Sequence, residues 1–211
     1  SCDSGMGLHQ VLIPKRPDGS VLIIGDSLTV GARGAGLAAP IDGIPVRIDA
    51  VVGRSARAAR GILEHTDLRG VGTIMIALGT NDYLDGATFG SVITGVMGAT
   101  RGRPVIWVNV DTGTHRLAPA AAVNAAIEAA AARYPTLRVA DWNSYINGRT
   151  NVAAMRAPDG VHYRGSGPAE RARWSRRQLS GVSQTVFPPE GGQLMITGAT
   201  TCDQVTIELV L

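Results

Sequence analysis

Five short apolar runs, each closed by glycine or polar residues and separated from the next by a segment of helical composition, constrain this chain more than any other feature. The first is Val21-Leu22-Ile23-Ile24, closed by Gly25; the others fall at 46–52, 73–78, 105–110 and 137–140. A short run without polar alternation is what a strand covered on both faces requires. Five buried strands are therefore expected. The intervening stretches 28–37, 56–63, 89–97 and the alanine-rich 119–133 have helical composition. Strand and helix thus alternate, and parallel strands need crossover connections that lay helices on both faces of the sheet. The expectation is an α/β fold, a doubly wound three-layer α/β/α sandwich, whose sites form beyond the carboxyl ends of the strands.

The ends of the chain break this rhythm. Residues 1–19 carry Gly5, Gly7, Pro14, Pro17 and Gly19 without a sustained period and form an N-terminal arm. Residues 143–166 are loop-rich, a helix is expected over 168–179, and the main domain, 20–180, closes near Ser180. Beyond it, strand-like pieces at 182–187, 193–197 and 204–211 flank Pro188-Pro189-Glu190-Gly191-Gly192. Residues 181–211 are therefore a small C-terminal β appendage. With 211 residues and 45% apolar content, one main domain plus an appendage is the division that fits.

Composition also narrows the partners. No stretch reaches the roughly 20 apolar residues of a transmembrane segment. The net charge of +3 comes from scattered arginines. The dense group Arg171, Arg173, Arg176 and Arg177, with Trp174, is expected to be one solvated helix face, so no nucleic-acid partner is expected. Two cysteines, Cys2 and Cys202, offer no zinc spacing and no metal is expected. Whether they form a disulfide stays open, because spacing does not place their Cα atoms within bridging range.

Three polar clusters follow the expected strands. Gly25-Asp26-Ser27-Leu28-Thr29 puts a serine directly after a buried strand and at the start of a helix, where developing negative charge is favoured. The plainer reading is a helix cap made by Asp26 or Ser27. Asp159-Gly160-Val161-His162 puts an aspartate three residues before a histidine, so that one ring nitrogen receives a carboxylate and the other stays free to take a serine proton. Gly79-Thr80-Asn81-Asp82 follows the third strand, where an asparagine amide can donate to an oxyanion; Gly53, after the second strand, can offer an unobstructed N–H. Each alone is a turn. Together they supply nucleophile, base, orienter and oxyanion donors around one volume.

These residues resemble the SGNH hydrolase family, the GDSL esterases and lipases, over about residues 20–180. All four family blocks are represented, in the family's order. The resemblance implies a flavodoxin-like sandwich around a central five-stranded parallel sheet. It makes Ser27 the nucleophile and Asp159 and His162 the other triad members. Gly53 and Asn81, with the Ser27 N–H, become the oxyanion hole. It also favours a secreted or cell-envelope location over a cytoplasmic one, implies no cofactor, and leaves both extensions unexplained. The Gly-x-Ser-x-Gly elbow of α/β-hydrolases is absent.

The activity expected is a serine esterase acting on small acyl esters, acetyl among them, on a carbohydrate or lipid. Acyl transfer through the same acyl-enzyme is one alternative. A wall- or virion-associated binding module acting through residues 181–211 is another. Asp82 and Tyr83 are expected to line the acyl or alcohol pocket, and His115 to edge the cleft. Asp26 is expected to fix turn geometry. Trp107, Trp142 and Trp174 have core explanations. Oligomeric state and physiological substrate are left open.

Overall fold

The computed structural model describes residues 19–113 and 120–180, and the backbone of two further strands, Gln193–Thr197 and Thr206–Val210. The five expected strands form one parallel sheet: β1 (Ser20–Gly25), β2 (Val46–Ala50), β3 (Val71–Ala77), β4 (Val105–Val108) and β5 (Leu137–Ala140), in the order β2-β1-β3-β4-β5. Among the described residues seven α-helices accompany them: α1 (Ser27–Ala32), α2 (Arg57–His65), α3 (Gly86–Ala99), α4 (Ala120–Arg133), α5 (Trp142–Asn147), α6 (Val152–Met155) and α7 (Gly167–Leu179).

Two apolar cores explain the three layers. The two-residue period of a strand sends Leu22 and Ile24 into a core with Ile74, Ile76, Val105, Trp107 and residues of α2, α3 and α4. It sends Val21 and Ile23 to the opposite core, with Met75, Ile106, Val108 and residues of α1, α5 and α7. Strands β1, β3 and β4 are accordingly buried throughout, apart from Ser20 in β1 and Gly72 in β3.

The expectation of five buried strands is corrected at the margins. No residue of β2 is buried, and β5 is buried only at its two ends, Leu137 and Ala140, because each is an edge strand with a neighbour on one side only. The expected run 46–52 also ends early, at Ala50, and leaves Val51 and Val52 exposed. The helix expected over 28–37 is interrupted: α1 passes into a π-helical turn over Arg33–Leu37, where Gly36 takes φ +99°. The stretch 143–166 is less loop-like than its composition implies, since α5 and α6 lie within or across it.

The arginine-rich helix α7 is also not a uniformly solvated face. Arg171 is 4% exposed and Trp174 3%, and the Arg171 guanidinium carbon lies 4.5 Å from the Trp142 ring centroid and 5.4 Å from that of Trp174. Stacking on two indoles accommodates a cation that sequence alone puts in water. All three tryptophans are buried, as their core explanation requires.

The chain divides into two compact units, one of residues 16–183 and one that groups residues 1–15 with 184–211. The described part of the second is an antiparallel pair, β6 (Gln193–Thr197) with β7 (Thr206–Val210), in register from Gln193 opposite Val210 to Thr197 opposite Thr206. The expected strand at 182–187, Cys2 and Cys202, and the arm up to residue 18 lie outside the described residues. No helix among the described residues is long and apolar enough to cross a membrane.

Candidate active site

The turn from β1 into α1 carries Ser27. Asp26 is the helix cap, with extended backbone at φ −107°, ψ −156°, and its carboxylate accepts the Leu28 N–H at 2.9 Å. The capping and nucleophile readings are thus shared between neighbours: Asp26 closes the turn and Ser27 begins the helix. Gly25 is required by close approach, because a Cβ there would lie 2.1 Å from Thr29 Oγ1. Asp26 itself is 1% exposed. Burial pushes its carboxyl up to about 6, against the Leu28 N–H and the Arg171 charge, which pull it down.

A second element brings chemistry to Ser27. Residues 155–164 fold back on themselves: Arg164 N–H donates to the Met155 carbonyl at 2.7 Å, Ala157 N–H donates to the His162 carbonyl at 2.8 Å, and Arg156 bridges Tyr163 in antiparallel fashion. The tip of this hairpin holds Asp159 and His162. One Asp159 oxygen accepts the N–H groups of Val161 and His162, both at 2.9 Å, while the other lies 2.7 Å from His162 Nδ1. His162 Nε2 in turn lies 2.9 Å from Ser27 Oγ, across 135 residues of sequence.

The two backbone amides, and then the imidazole, hold the Asp159 carboxyl well below the usual carboxylate range. An ionised Asp159 accepts a hydrogen bond from Nδ1–H, which leaves the Nε2 lone pair free for the Ser27 hydroxyl proton. Both side chains stay open to solvent, at 43% exposure for Asp159 and 44% for His162.

The loops after β2 and β3 complete the surroundings. Gly53 takes φ +75° with nothing within 4 Å of a would-be Cβ, so conformation alone selects glycine there. Its loop is strapped down by Arg54, which donates to the Asp49 carbonyl and carboxylate, both at 2.7 Å. Val51 N–H donates to the Gly25 carbonyl at 3.2 Å. The Asn81 amide donates to the Arg54 carbonyl at 3.1 Å and lies 3.4 Å from Asp26. It therefore joins the Gly53 loop to the turn before Ser27.

Asp82, expected to line the acyl or alcohol pocket, is a buried tether between two loops. It is 5% exposed, and its two oxygens accept the Ser55 hydroxyl at 2.5 Å and the Ala56 N–H at 2.9 Å, so it ties the loop after β3 to the loop after β2. Tyr83 is 71% exposed and, with Val51 and Val52, makes up the exposed large apolar side chains among the described residues. His115 lies outside the described residues. No group of three His, Cys, Asp or Glu side chains among the described residues is arranged to hold a metal ion.

Sequence reasoning gives no role to Asp111, Arg156 or Tyr163, which meet beneath the hairpin. The signal on offer is an aspartate just past the fourth strand, in a stretch whose histidine, His115, is the more conspicuous residue.

Neither a family model nor a curated relative matches the sequence. Solved structures share the fold. The C-terminal catalytic domain of peptidoglycan O-acetyltransferase A from Streptococcus pneumoniae superimposes with a TM-score of 0.63 at 21% identity, over 79% of this chain and 93% of that domain. A carbohydrate esterase family 3 protein from Talaromyces cellulolyticus does so with a TM-score of 0.61 at 21% identity, over 80% of this chain and all (100%) of the other. A member of the lipolytic G-D-S-L family from Veillonella parvula gives 0.62 at 16% identity, over 75% and 96%. The five-stranded parallel sheet and its flanking helices are thus the SGNH-type fold, which esterases and an O-acetyltransferase domain both use.

Proposed function

We propose that this chain is a serine esterase that hydrolyses small acyl esters through a covalent acyl-enzyme. The observation that supports it above all others is the continuous path from the Asp159 carboxylate to His162 at 2.7 Å and from His162 to Ser27 Oγ at 2.9 Å. A histidine oriented on one side by a carboxylate and hydrogen-bonded on the other to a hydroxyl is the arrangement that makes serine nucleophilic.

In this reading Ser27 Oγ attacks the ester carbonyl as its proton passes to His162 Nε2. The tetrahedral oxyanion is met by the N–H groups of Ser27 and Gly53 and by the Asn81 amide. Collapse expels the alcohol, which takes the proton from His162, and leaves Ser27 acylated. Water then gives a proton to His162 and attacks the acyl carbon. The second collapse releases the acid and returns the proton to Ser27. Asp159, held ionised, stabilises the imidazolium in both halves.

The exposed Tyr83, close in sequence to Asn81, is the proposed contact for the substrate's acyl or alcohol part. Acetyl groups on a carbohydrate are the favoured substrates, supported by the fold shared with a carbohydrate esterase. A second reading, transfer of the acyl group to a sugar hydroxyl, is supported by the fold shared with an O-acetyltransferase domain.

Hydrolysis of nitrophenyl esters from acetyl to decanoyl, by wild type and Ser27→Ala, tests the proposal. Turnover that depends on Ser27 and declines with chain length is expected. Turnover unaffected by Ser27→Ala would overturn it. Acylated product formed in the presence of acceptor sugars, in place of free acid, would favour transfer.

A further inference from the structure

Beneath the tip that carries Asp159 and His162, the hairpin is closed by the single bridge between Arg156 and Tyr163. Both side chains of that bridge reach one carboxylate. Arg156 Nη2 lies 2.8 Å from each oxygen of Asp111, and its Nε donates to one of them at 3.3 Å. The Tyr163 hydroxyl donates to Asp111 at 2.9 Å. Asp111 is 5% exposed and lies three residues beyond the end of β4.

The arrangement around this carboxylate is directional. Trp142, the first residue of α5, donates its indole N–H to the Tyr163 oxygen at 2.7 Å, which leaves the phenol proton to point at Asp111. Asn147 donates to the same carboxylate at 3.0 Å and accepts from Arg156 at 2.8 Å. The Gly113 N–H donates to Asp111 at 2.8 Å, and a Cβ on Gly113 would lie 2.0 Å from Asn147 Oδ1 and 2.3 Å from Arg156 Nη2. No side chain fits there unless the cluster moves.

Tyr163 is covalently the next residue after His162, and Arg156 is three residues before Asp159. A shift of either base residue therefore moves the imidazole relative to Ser27. We propose that Asp111 is a positioning residue for the proposed esterase reaction: by holding Arg156 and Tyr163 together it fixes the height and tilt of the Asp159–His162 tip over Ser27. The proposal rests on the triad reading, and it assigns Asp111 no contact with substrate. Displacements near 1 Å in such an assembly cost about a hundredfold in rate, whereas binding of a small ester is little affected.

The test compares kcat, KM and the rate of inactivation by phenylmethylsulfonyl fluoride in Asp111→Asn, Tyr163→Phe and the double variant, with Ser27→Ala alongside and folding checked by circular dichroism. Asp111→Asn should lower kcat about ten- to a hundredfold with KM within about twofold, and slow sulfonylation in step. Tyr163→Phe should act in the same direction by less. The double variant should be no worse than Asp111→Asn, because both act through one link.

Wild-type kcat in a folded Asp111→Asn, with only the melting temperature lowered, would overturn the proposal, as would strictly additive losses. Should Asp111→Asn fail to fold, Tyr163→Phe decides: undiminished kcat and sulfonylation overturn the proposal, and a parallel fall in both supports it. Activity retained in Ser27→Ala would remove the triad, and this proposal with it. Loss in Ser27→Ala beside an unaffected Asp111→Asn removes the proposal alone.

Discussion

The two sides of the candidate site are built on opposite principles. Ser27, Gly53 and Asn81 lie at the ends of β1, β2 and β3, where buried or half-buried groups lock neighbouring turns together: Asp26 to Leu28, Arg54 to Asp49, Asn81 to Arg54, Asp82 to Ser55. Asp159 and His162 ride on a solvent-open hairpin whose tip is ordered by its own amides and whose base is held by Asp111. Their aspartates respond accordingly. Burial pushes Asp26 up to about 6, while exposed Asp159 is pulled down by N–H donors. One side gains precision from the sheet; the other keeps His162, the proposed base, within reach of water, as the proposed deacylation requires.

The sharpest way to break this comparison is to remove the hairpin's chemistry and leave the strand-end turns intact. Asp159→Asn and His162→Ala should each lower kcat for an acetyl ester by on the order of 10⁴-fold, with the strand-end turns kept. The asparagine variant misdirects the ring, since its amide can donate to Nδ1 and leave the proton on Nε2. Steady-state kinetics on folded variants measures this, and a loss below tenfold would detach Asp159 from the proposed triad.

On the strand-end side a smaller effect is expected, because a single donor of three is lost. Asn81→Ala should lower kcat about 10²–10³-fold, equivalent to about 2.7–4 kcal/mol of transition-state stabilisation. Asn81 also donates to the Arg54 carbonyl, so a modest fall in denaturation midpoint should accompany it. Near-normal kcat with a lowered midpoint would make Asn81 a tether only.

How far the sequence reveals each side follows the same division. The sheet was legible because Val21 to Ile24 and their counterparts are short apolar runs, and the strand-end turns because Gly25, Gly53 and Asn81 follow them closely. The edge position of β2 was not legible, since a run shows the apolarity of its residues and not how many neighbours cover it. The Asp159–His162 pair was legible because its carboxylate–imidazole contact is local. The tether that Asp82 makes was not legible: its partners Ser55 and Ala56 are distant in sequence, so no neighbouring residue shows that its oxygens are engaged. Arg171, stacked on the distant Trp142, and Asp111, joined to Arg156 and Tyr163, escaped for the same reason. A long-range polar contact leaves no period and no motif.

The smallest expected effect concerns Asp26, and its sign distinguishes the two aspartates. Its folded pKa of about 6 lies above the ordinary aspartate value of 3.8, so between those values the folded state binds more protons than the unfolded one. Stability from this group therefore falls as pH rises from about 4 to 6, and the cost of the buried charge is fully present above that range. Asp159 runs the other way: its depressed pKa contributes stability above the unfolded value, lost only as pH falls through the folded one. Asp26→Asn keeps an oxygen to accept the Leu28 N–H and removes the buried charge. Relative to wild type it should gain on the order of 2 kcal/mol between about pH 4 and pH 7, read from denaturant unfolding at each pH. A difference that stays flat over that interval would mean that Asp26 does not carry a buried charge at neutral pH, and the contrast between an uphill aspartate beside the serine and a downhill one on the hairpin would fail.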